Sequence, residues 1–535
     1  MGYYVNPGSR KFKMGLNSEI YVDKSHLLAE TNALFDTERR FVCLSRPRRF
    51  GKTMAANMMA AYYGSGEDAG KLFENLNIST HESYEQHLNQ YTVIMINMQV
   101  FLSEEKAKAS RADKALSVSD MLMRLEQVVT EELLEICPED KFKDTENFVR
   151  VMYDAYQATK KPFVILIDEW DCLFREYKDD KASQTTYLDF LRLWLKDQAY
   201  IGLAYMTGIL PIKKYGSHSA LNMFDEYSMT RPRRFLDYFG FTAQEVATLC
   251  NAYDASISEI ETWYNGYFVD LDKPIYNPTS VVQSLLANQI DNYWNKTETY
   301  EALKDYIALD FDGLKNKLLQ MISGYAVAVN ANKFTNDMTT FNSADDVLTL
   351  LVHLGYLSYN FEKKEVRIPN EEVKTEFINS IEDMKDWASV VTVIHQSRDL
   401  LQAIWHKEAE IVAKGIEAIH EQNTSILQYH DENSLACVIS LALYGANTYY
   451  TIIRELPTGK GYADLVFIPR KKHLDKPAIV VELKWNKDAK GALAQIKERN
   501  YASALTDYEG NLLLVGINYD KDKKTHTCEI EQMSL

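Results

Sequence analysis

Four short apolar runs mark the first 207 residues. Residues 41–45 (Phe-Val-Cys-Leu-Ser), 91–97 (Tyr-Thr-Val-Ile-Met-Ile-Asn), 163–167 (Phe-Val-Ile-Leu-Ile) and 201–207 (Ile-Gly-Leu-Ala-Tyr-Met-Thr) show little polar alternation and are short for helices. Runs of this kind predict strands buried on both faces of a parallel sheet. Helical patterning follows Thr53 to about residue 63, and residues 116–160 read as amphipathic helix with an acidic solvent face.

Beyond residue 240 the pattern changes. Thr242 with Glu245 three residues on spells a capping box, and the stretch to about Trp294 reads as helical and aromatic, a lid. Ser343 to Asp346 would cap a helix over 347–354 that stops at Gly355. Residues 356–361 and 365–368 then alternate as a hairpin around Lys363 and Lys364, so helix, glycine and two-stranded wing suggest a winged-helix unit. Few basic residues line it, so packing as a lid suits it better than reading DNA. Residues 376–428 keep helical periodicity through Val390, Val393, Leu400, Leu401, Ile404, Val412, Ile416 and Ile419, a helical connector. His395, His406 and His420 share no ligand spacing and read as surface or packing residues. The last segment runs helix 432–444, strands 448–455, 462–468 and 478–484, helix 489–505 and strand 511–518. The expected architecture is multidomain α/β: a sheet domain over 1–240, a lid and wing over 241–375, the connector over 376–428 and an αβββαβ domain over 429–535.

A length of 535 residues also requires several cores. No apolar run approaches a membrane span, and Asn6 stands where myristoylation needs Ser or Thr. Six scattered cysteines without a CxxC pair predict reduced thiols in a cytoplasmic protein with no membrane partner. The net charge of −17 argues against indiscriminate binding to nucleic acid. It is unevenly spread. Residues 429–535 hold 14 basic and 14 acidic side chains, so the whole excess lies upstream and a polyanion would meet the C-terminal segment.

The end of the first run carries the first candidate chemistry. Arg46-Pro-Arg48-Arg49-Phe50-Gly51-Lys52-Thr53 follows a strand and opens a helix, the layout of a phosphate-binding loop whose N–H groups turn toward an anion. Lys52 would reach the outer phosphates of ATP and Thr53 would offer its hydroxyl to Mg²⁺, with Arg48, Arg49, Phe50 and Gly51 completing the loop. Arg46 stands where the pattern GxxxxGK[ST] has its first glycine. At the end of the third run, Asp168 would hold Mg²⁺ beside Thr53 and Glu169 would deprotonate the attacking water. Thr207 is a candidate γ-phosphate sensor, though a plain strand-end hydroxyl fits equally well. Arg46–Phe50 recurs as Arg231-Pro-Arg-Arg-Phe235 with no duplication around it; Arg231, Arg233 and Arg234 could contact phosphate.

Tyr21-Val-Asp-Lys24, Leu44 to Thr53, Leu166-Ile-Asp-Glu-Trp-Asp171, Trp263-Tyr-Asn-Gly-Tyr267 and Tyr276-Asn-Pro278 together resemble the bacterial AAA-ATPase-like proteins of the P-loop NTPase superfamily. The resemblance implies a parallel-sheet ATPase core, tolerates Arg46, and leaves room for a homo-oligomer.

In the last segment Asp464 interrupts an apolar strand, while Glu482 and Lys484 lie two apart on the next and share a face. Two carboxylates brought together suit Mg²⁺, and the lysine would place a water or steady developing charge. The spacing D-x17-E-x-K after a Gly-rich turn resembles the PD-(D/E)XK nuclease superfamily, a restriction-endonuclease-like fold. A subfamily often joined to such ATPases implies roles for Glu455, Gly459 to Asp464, Gln495 and Tyr501. Glu432 is a further metal or orienting carboxylate. Lys487, Lys490, Lys497 and Arg499 could line a backbone groove, or be a solvated helix face. The pairing implies an ATP-regulated, Mg²⁺-dependent nuclease acting on nucleic acid, DNA above all, in defence or mobile-element biology. The alternative is an ATP-switched scaffold whose nuclease fold binds without cutting.

Overall fold

The computed structural model describes residues 2–212, 221–267, 273–294, 299–309, 311, 313–334, 338–339, 341–382, 384–423, 432–458, 461–470, 473–498 and 511–534. It divides into two compact units, residues 1–293 with 328–370, and residues 294–327 with 371–535.

The first unit is built on five parallel strands: β1 (Phe41–Ser45), β2 (Thr92–Asn97), β3 (Phe163–Asp168), β4 (Ile201–Gly208) and β5 (Asp225–Tyr227), in the order β2-β3-β4-β1-β5. All four apolar runs of the sequence are strands. Every residue of β1, β3 and β4 is buried, as expected of strands covered by helices on both faces. The register places Asn97 beside Asp168, Asp168 beside Thr207, and Thr207 beside Leu44. Polar residues therefore meet at one edge of the sheet, where parallel strands end and ligands bind. The helix Lys52–Tyr63 lays Ala55, Met58, Met59, Tyr62 and Tyr63 into the core with Phe12, Leu27 and Phe73.

Residues 116–160 are helical as expected, as two helices, Val118–Ile136 and Phe148–Thr159, separated by a stretch containing Pro138. Proline cannot continue a helix interior without losing a backbone hydrogen bond. Ser343 makes no side-chain cap for the helix Ala344–Leu354; instead, Asp346 accepts the N–H of Asn342 at 2.9 Å. The capping box at Thr242 and Glu245 does form, and Gly355 closes its helix at φ +90°, a conformation that costs other residues a Cβ clash. The hairpin follows as Ser358–Asn360 paired with Glu365–Arg367.

The second unit carries the helices Glu371–Glu382, Ala388–Trp405, Ala409–Asn423 and Glu432–Ala442, then a mixed sheet. Its strands are β6 (Tyr450–Thr458), β7 (Gly461–Pro469), β8 (Ala478–Trp485), β9 (Asn511–Asp520) and β10 (Thr525–Ser534), in that spatial order. Only β8 and β9 run parallel, and the helix Ala489–Glu498 makes the crossover between them. The αβββαβ order is present with an added strand, β10, which the sequence reading stopped short of. Its stretch Thr-His-Thr-Cys-Glu-Ile-Glu-Gln has too few apolar positions to announce a strand; the ladder with β9 supplies the pairing.

His420 packs its ring 5.0 Å from Tyr519 and 5.3 Å from His526, and burial pushes it down to about 4, which fits a packing residue. Among the described residues no three metal-ligating side chains gather, and no helix is long and apolar enough to cross a membrane.

Candidate functional site

In the first unit the turn after β1 does what its sequence demands. Arg49 sits at φ +70° and Gly51 at φ +87°, which turns the loop back before the helix begins. Arg48, Arg49, Phe50, Gly51, Lys52 and Thr53 all line one cavity of about 480 Å³. Its other walls include Tyr21, Val22, Lys24, Glu169, Phe241, Pro278 and Gln283, so the Tyr21–Lys24 segment and the 241–283 region both face it. A β-carbon on Gly51 would meet nothing within 4 Å, leaving its backbone open to a ligand.

Lys52 is 5% exposed, and its Nζ donates to the carbonyls of Arg46 (2.9 Å) and Pro47 (2.8 Å). Burial lowers its pKa. Arg46 itself is buried. Its guanidinium donates to the Tyr227 carbonyl of β5 at 2.9 Å and lies over the Phe239 ring, so the residue in the glycine position bolts the loop to the sheet. Phe50 packs edge-on against Tyr267 at 5.0 Å.

Thr53 Oγ1 donates to Asp168 Oδ2 at 2.8 Å, so the two expected Mg²⁺ residues are together. Asp168 is 1% exposed, and burial raises its carboxyl above the usual carboxylate range. A hydroxyl beside a buried carboxylate is a hard-oxygen donor set, which fits Mg²⁺. Thr207, fully buried, is adjacent to Asp168 by register. Of the second arginine cluster, Arg234 pairs with Glu30 at 2.7 Å and Arg231 bonds Asn332; none of the three lines the cavity. The sequence reading missed Asn97, whose Nδ2 is 3.5 Å from Asp168 Oδ2, and Arg175, which binds Glu169. A strand-end asparagine and an arginine one turn past a run of carboxylates were the available signals.

A raised carboxyl has a consequence for stability. Its contribution to folding is fully present below the ordinary aspartate value and is lost as pH rises through the elevated one. Once ionised, Asp168 therefore opposes folding when no cation accompanies it. Asp168→Asn is expected to raise the metal-free melting temperature by about 2 °C, the shift for roughly 1 kcal/mol. It should also remove any melting increment given by Mg²⁺ with nucleotide. Calorimetry over a falling pH series checks both: the gain should shrink as pH falls toward the ordinary aspartate value.

In the second unit, β7 and β8 pair Leu465 with Val481 and Val466 with Val480, a ladder that ends one residue before Asp464 and Glu482. Asp464 Oδ2 accepts the N–H of Leu483 at 2.6 Å. Lys484 Nζ lies 3.1 Å from Glu482 Oε1, and Gln495 Nε2 donates to the same oxygen. Glu482 and Lys484 are 2% and 8% exposed, so the charges are nearly removed from water and must satisfy one another. The helix bearing Gln495 reaches this face because residue 516 is glycine: a β-carbon there would fall 2.4 Å from the Ala489 carbonyl. Position 455 lies across from 464 by the β6–β7 register. Glu432 opens the helix Glu432–Ala442. The side chains of Glu432 and Glu455 lie outside the description, as does Tyr501 entirely. The carboxylates of Asp464 and Glu482, carried by neighbouring strands and linked through the Leu483 N–H beside Glu482, are oxygen donors of the kind that fits a divalent cation.

Residues 9–217 match the family described as predicted AAA-ATPase, and residues 430–529 match the PD-(D/E)XK nuclease superfamily. A protein of Azotobacter chroococcum mcd 1, described as an uncharacterized protein in the vnfD 5′ region, is 23% identical over 503 residues, covering 90% of each chain. The two families suggest ATPase and nuclease activities, with nucleotide and divalent metal in general terms. The chain thus joins an AAA-ATPase-like domain in its N-terminal part to a PD-(D/E)XK nuclease superfamily domain in its C-terminal part.

Proposed function

We propose that this chain is an ATP-controlled, Mg²⁺-dependent nuclease acting on DNA. The observation that supports it best is the gathering of Lys484 and Gln495 on the Glu482 carboxylate, with Asp464 of the neighbouring strand accepting the N–H of Leu483 beside it. Asp464 and Glu482 would hold Mg²⁺, which when bound polarises a phosphodiester and acidifies water. The chain's own groups do the rest. The Leu483 N–H fixes Asp464, Gln495 fixes Glu482, and Lys484 places positive charge where negative charge develops on the phosphoryl oxygens. Glu432 would add a further carboxylate from its helix.

In the first unit, Lys52 would exchange the Arg46 and Pro47 carbonyls for the outer phosphates of ATP. Thr53 and Asp168 would hold its Mg²⁺, Thr207 would contact the γ-phosphate, and Glu169 would take a proton from the attacking water. ATP binding or turnover there would govern cleavage. The test is a panel of plasmid, single-stranded DNA and RNA, with and without ATP and Mg²⁺. Mg²⁺-dependent DNA cleavage that ATP alters supports the reading. No cleavage of any substrate under any nucleotide would leave the scaffold reading in its place.

A further inference from the structure

Glu169 is held in an unusual way. It follows β3 with φ +52°, a left-handed conformation that costs a residue with a Cβ on the order of 1 kcal/mol or more. Strain of this size persists only where surrounding contacts over-determine it, and here they do. The Glu169 N–H donates to Asp168 Oδ1 at 3.0 Å, and the next N–H, of Trp170, donates to the Thr207 carbonyl of β4 at 3.1 Å. The side chain is fixed separately. Arg175 Nη2 donates to Glu169 Oε2 at 2.5 Å, while its Nε lies 3.2 Å from Asp171 Oδ2.

Arg175 is 11% exposed and Asp171 fully buried, so water cannot weaken this bridge as it would at the surface. Burial opposes the charge on Arg175, but Asp171 and Glu169 outweigh it and raise the guanidinium above its ordinary value. Asp171 is anchored in turn: its Oδ2 accepts the N–H groups of Ile209 (3.0 Å) and Leu210 (2.8 Å), directly beyond the end of β4. A chain of contacts therefore runs from the backbone after Thr207 through Asp171 and Arg175 to Glu169. Among the described residues Glu169 Oε1 takes no hydrogen bond, and Glu169 lines the cavity beside Lys52 and Thr53. A carboxylate pinned through one oxygen keeps the other as an acceptor for a proton.

We propose that Arg175 is a positioning residue for ATP hydrolysis: it holds the Glu169 carboxylate in place as a base, and Asp171 holds Arg175. This rests on the ATPase reading above and assigns a role to residues that reading does not use. Arg175 does not line the cavity, so it touches the reaction only through Glu169. Its removal should damage turnover and spare ATP binding.

The experiment uses the full chain as wild type, Arg175→Ala, Arg175→Lys, Asp171→Asn, Glu169→Gln and the double variant Glu169→Gln/Arg175→Ala. Melting curves confirm folding, fluorescence of a labelled ATP analogue gives affinity, and phosphate release gives kcat. Arg175→Ala should lower kcat on the order of 10²-fold, the cost of a misplaced reacting group, with affinity within about 2-fold. Lysine should restore part of the rate, because it keeps the charge without the fork. Asp171→Asn should reproduce much of the defect, since the amide oxygen can still accept both N–H groups while the carboxylate charge that anchors Arg175 is lost. In the Glu169→Gln background, loss of Arg175 should cost nothing more, as residues acting as a unit are not additive. An Arg175→Ala variant that turns over like wild type, loses ATP affinity instead, or adds its defect to that of Glu169→Gln would overturn the assignment while leaving the ATPase reading standing. A wild type that binds ATP but releases no phosphate would overturn both.

Discussion

Glu482→Gln is expected to abolish Mg²⁺-dependent DNA cleavage, with a loss on the order of 10³-fold or more, and to leave ATP hydrolysis at its wild-type rate. The argument is electrostatic. Glu482 is buried and takes both Lys484 and Gln495 on Oε1, so its position is fixed by the fold rather than by solvent. Removing its charge halves the described carboxylate pair, and a hard cation loses the anionic partner that offset its desolvation. The lysine is then left in a buried site without its counter-charge, which costs stability as well as function. A second variant separates the two effects: Asp464→Asn keeps the acceptor for the Leu483 N–H and leaves the Lys484 pair intact. Both variants should fail in a plasmid-nicking assay over a Mg²⁺ titration, while only Glu482→Gln should melt measurably earlier. Retained cleavage in the folded Asp464→Asn protein would remove the assignment of the activity to this site.

The two sites differ in how far the sequence announced them. Glu482 and Lys484 could be placed on one face because strands alternate with a period of two, and β8 pairs with β9 residue by residue without a bulge; Asp464 was visible as a carboxylate interrupting an apolar strand. Asp168 and Glu169 were visible because an apolar run leads straight into them, and carboxylates at the end of a buried strand are costly unless a cation compensates. Thr53 and Asp168, 115 residues apart in sequence, do meet.

What stayed hidden depends on contacts that no local period encodes. The Arg175 bridge sits on a helix of five residues, too short to show a face. Asn97 reads as the end of a strand and the cap of the next helix, and only the register with β3 brings it to Asp168. Likewise, nothing in the pattern of residues 294–327 says that they pack with 371–535. That association is made by contacts such as the Trp294 N–H on Glu372 (3.1 Å) and Cys437 Sγ on Ser323 Oγ (3.0 Å).

Lys52→Ala should have the largest effect on the other site. A hydrogen bond to a charged group contributes about 1.5–3 kcal/mol, so loss of Lys52 should weaken ATP binding by roughly 10–100-fold. Hydrolysis should fall below detection, because the same cation would stabilise charge that grows in the transition state. The folded protein itself argues for that outcome. Lys52 is buried, and burial lowers its pKa, so its charge is maintained against a penalty. Among the described residues its Nζ bonds two loop carbonyls, at 2.9 and 2.8 Å, which a neutral donor could also satisfy. Stability alone therefore gives little reason for a lysine here; an anion does. Alanine should accordingly cost little in melting temperature, since it removes a desolvated charge along with the bonds to Arg46 and Pro47, and Arg46 still ties the loop to β5. Titration of a fluorescent ATP analogue, paired with melting curves, measures both sides of this balance. If Lys52→Ala binds ATP as tightly as wild type, the loop is not a phosphate site, and its lysine serves the fold.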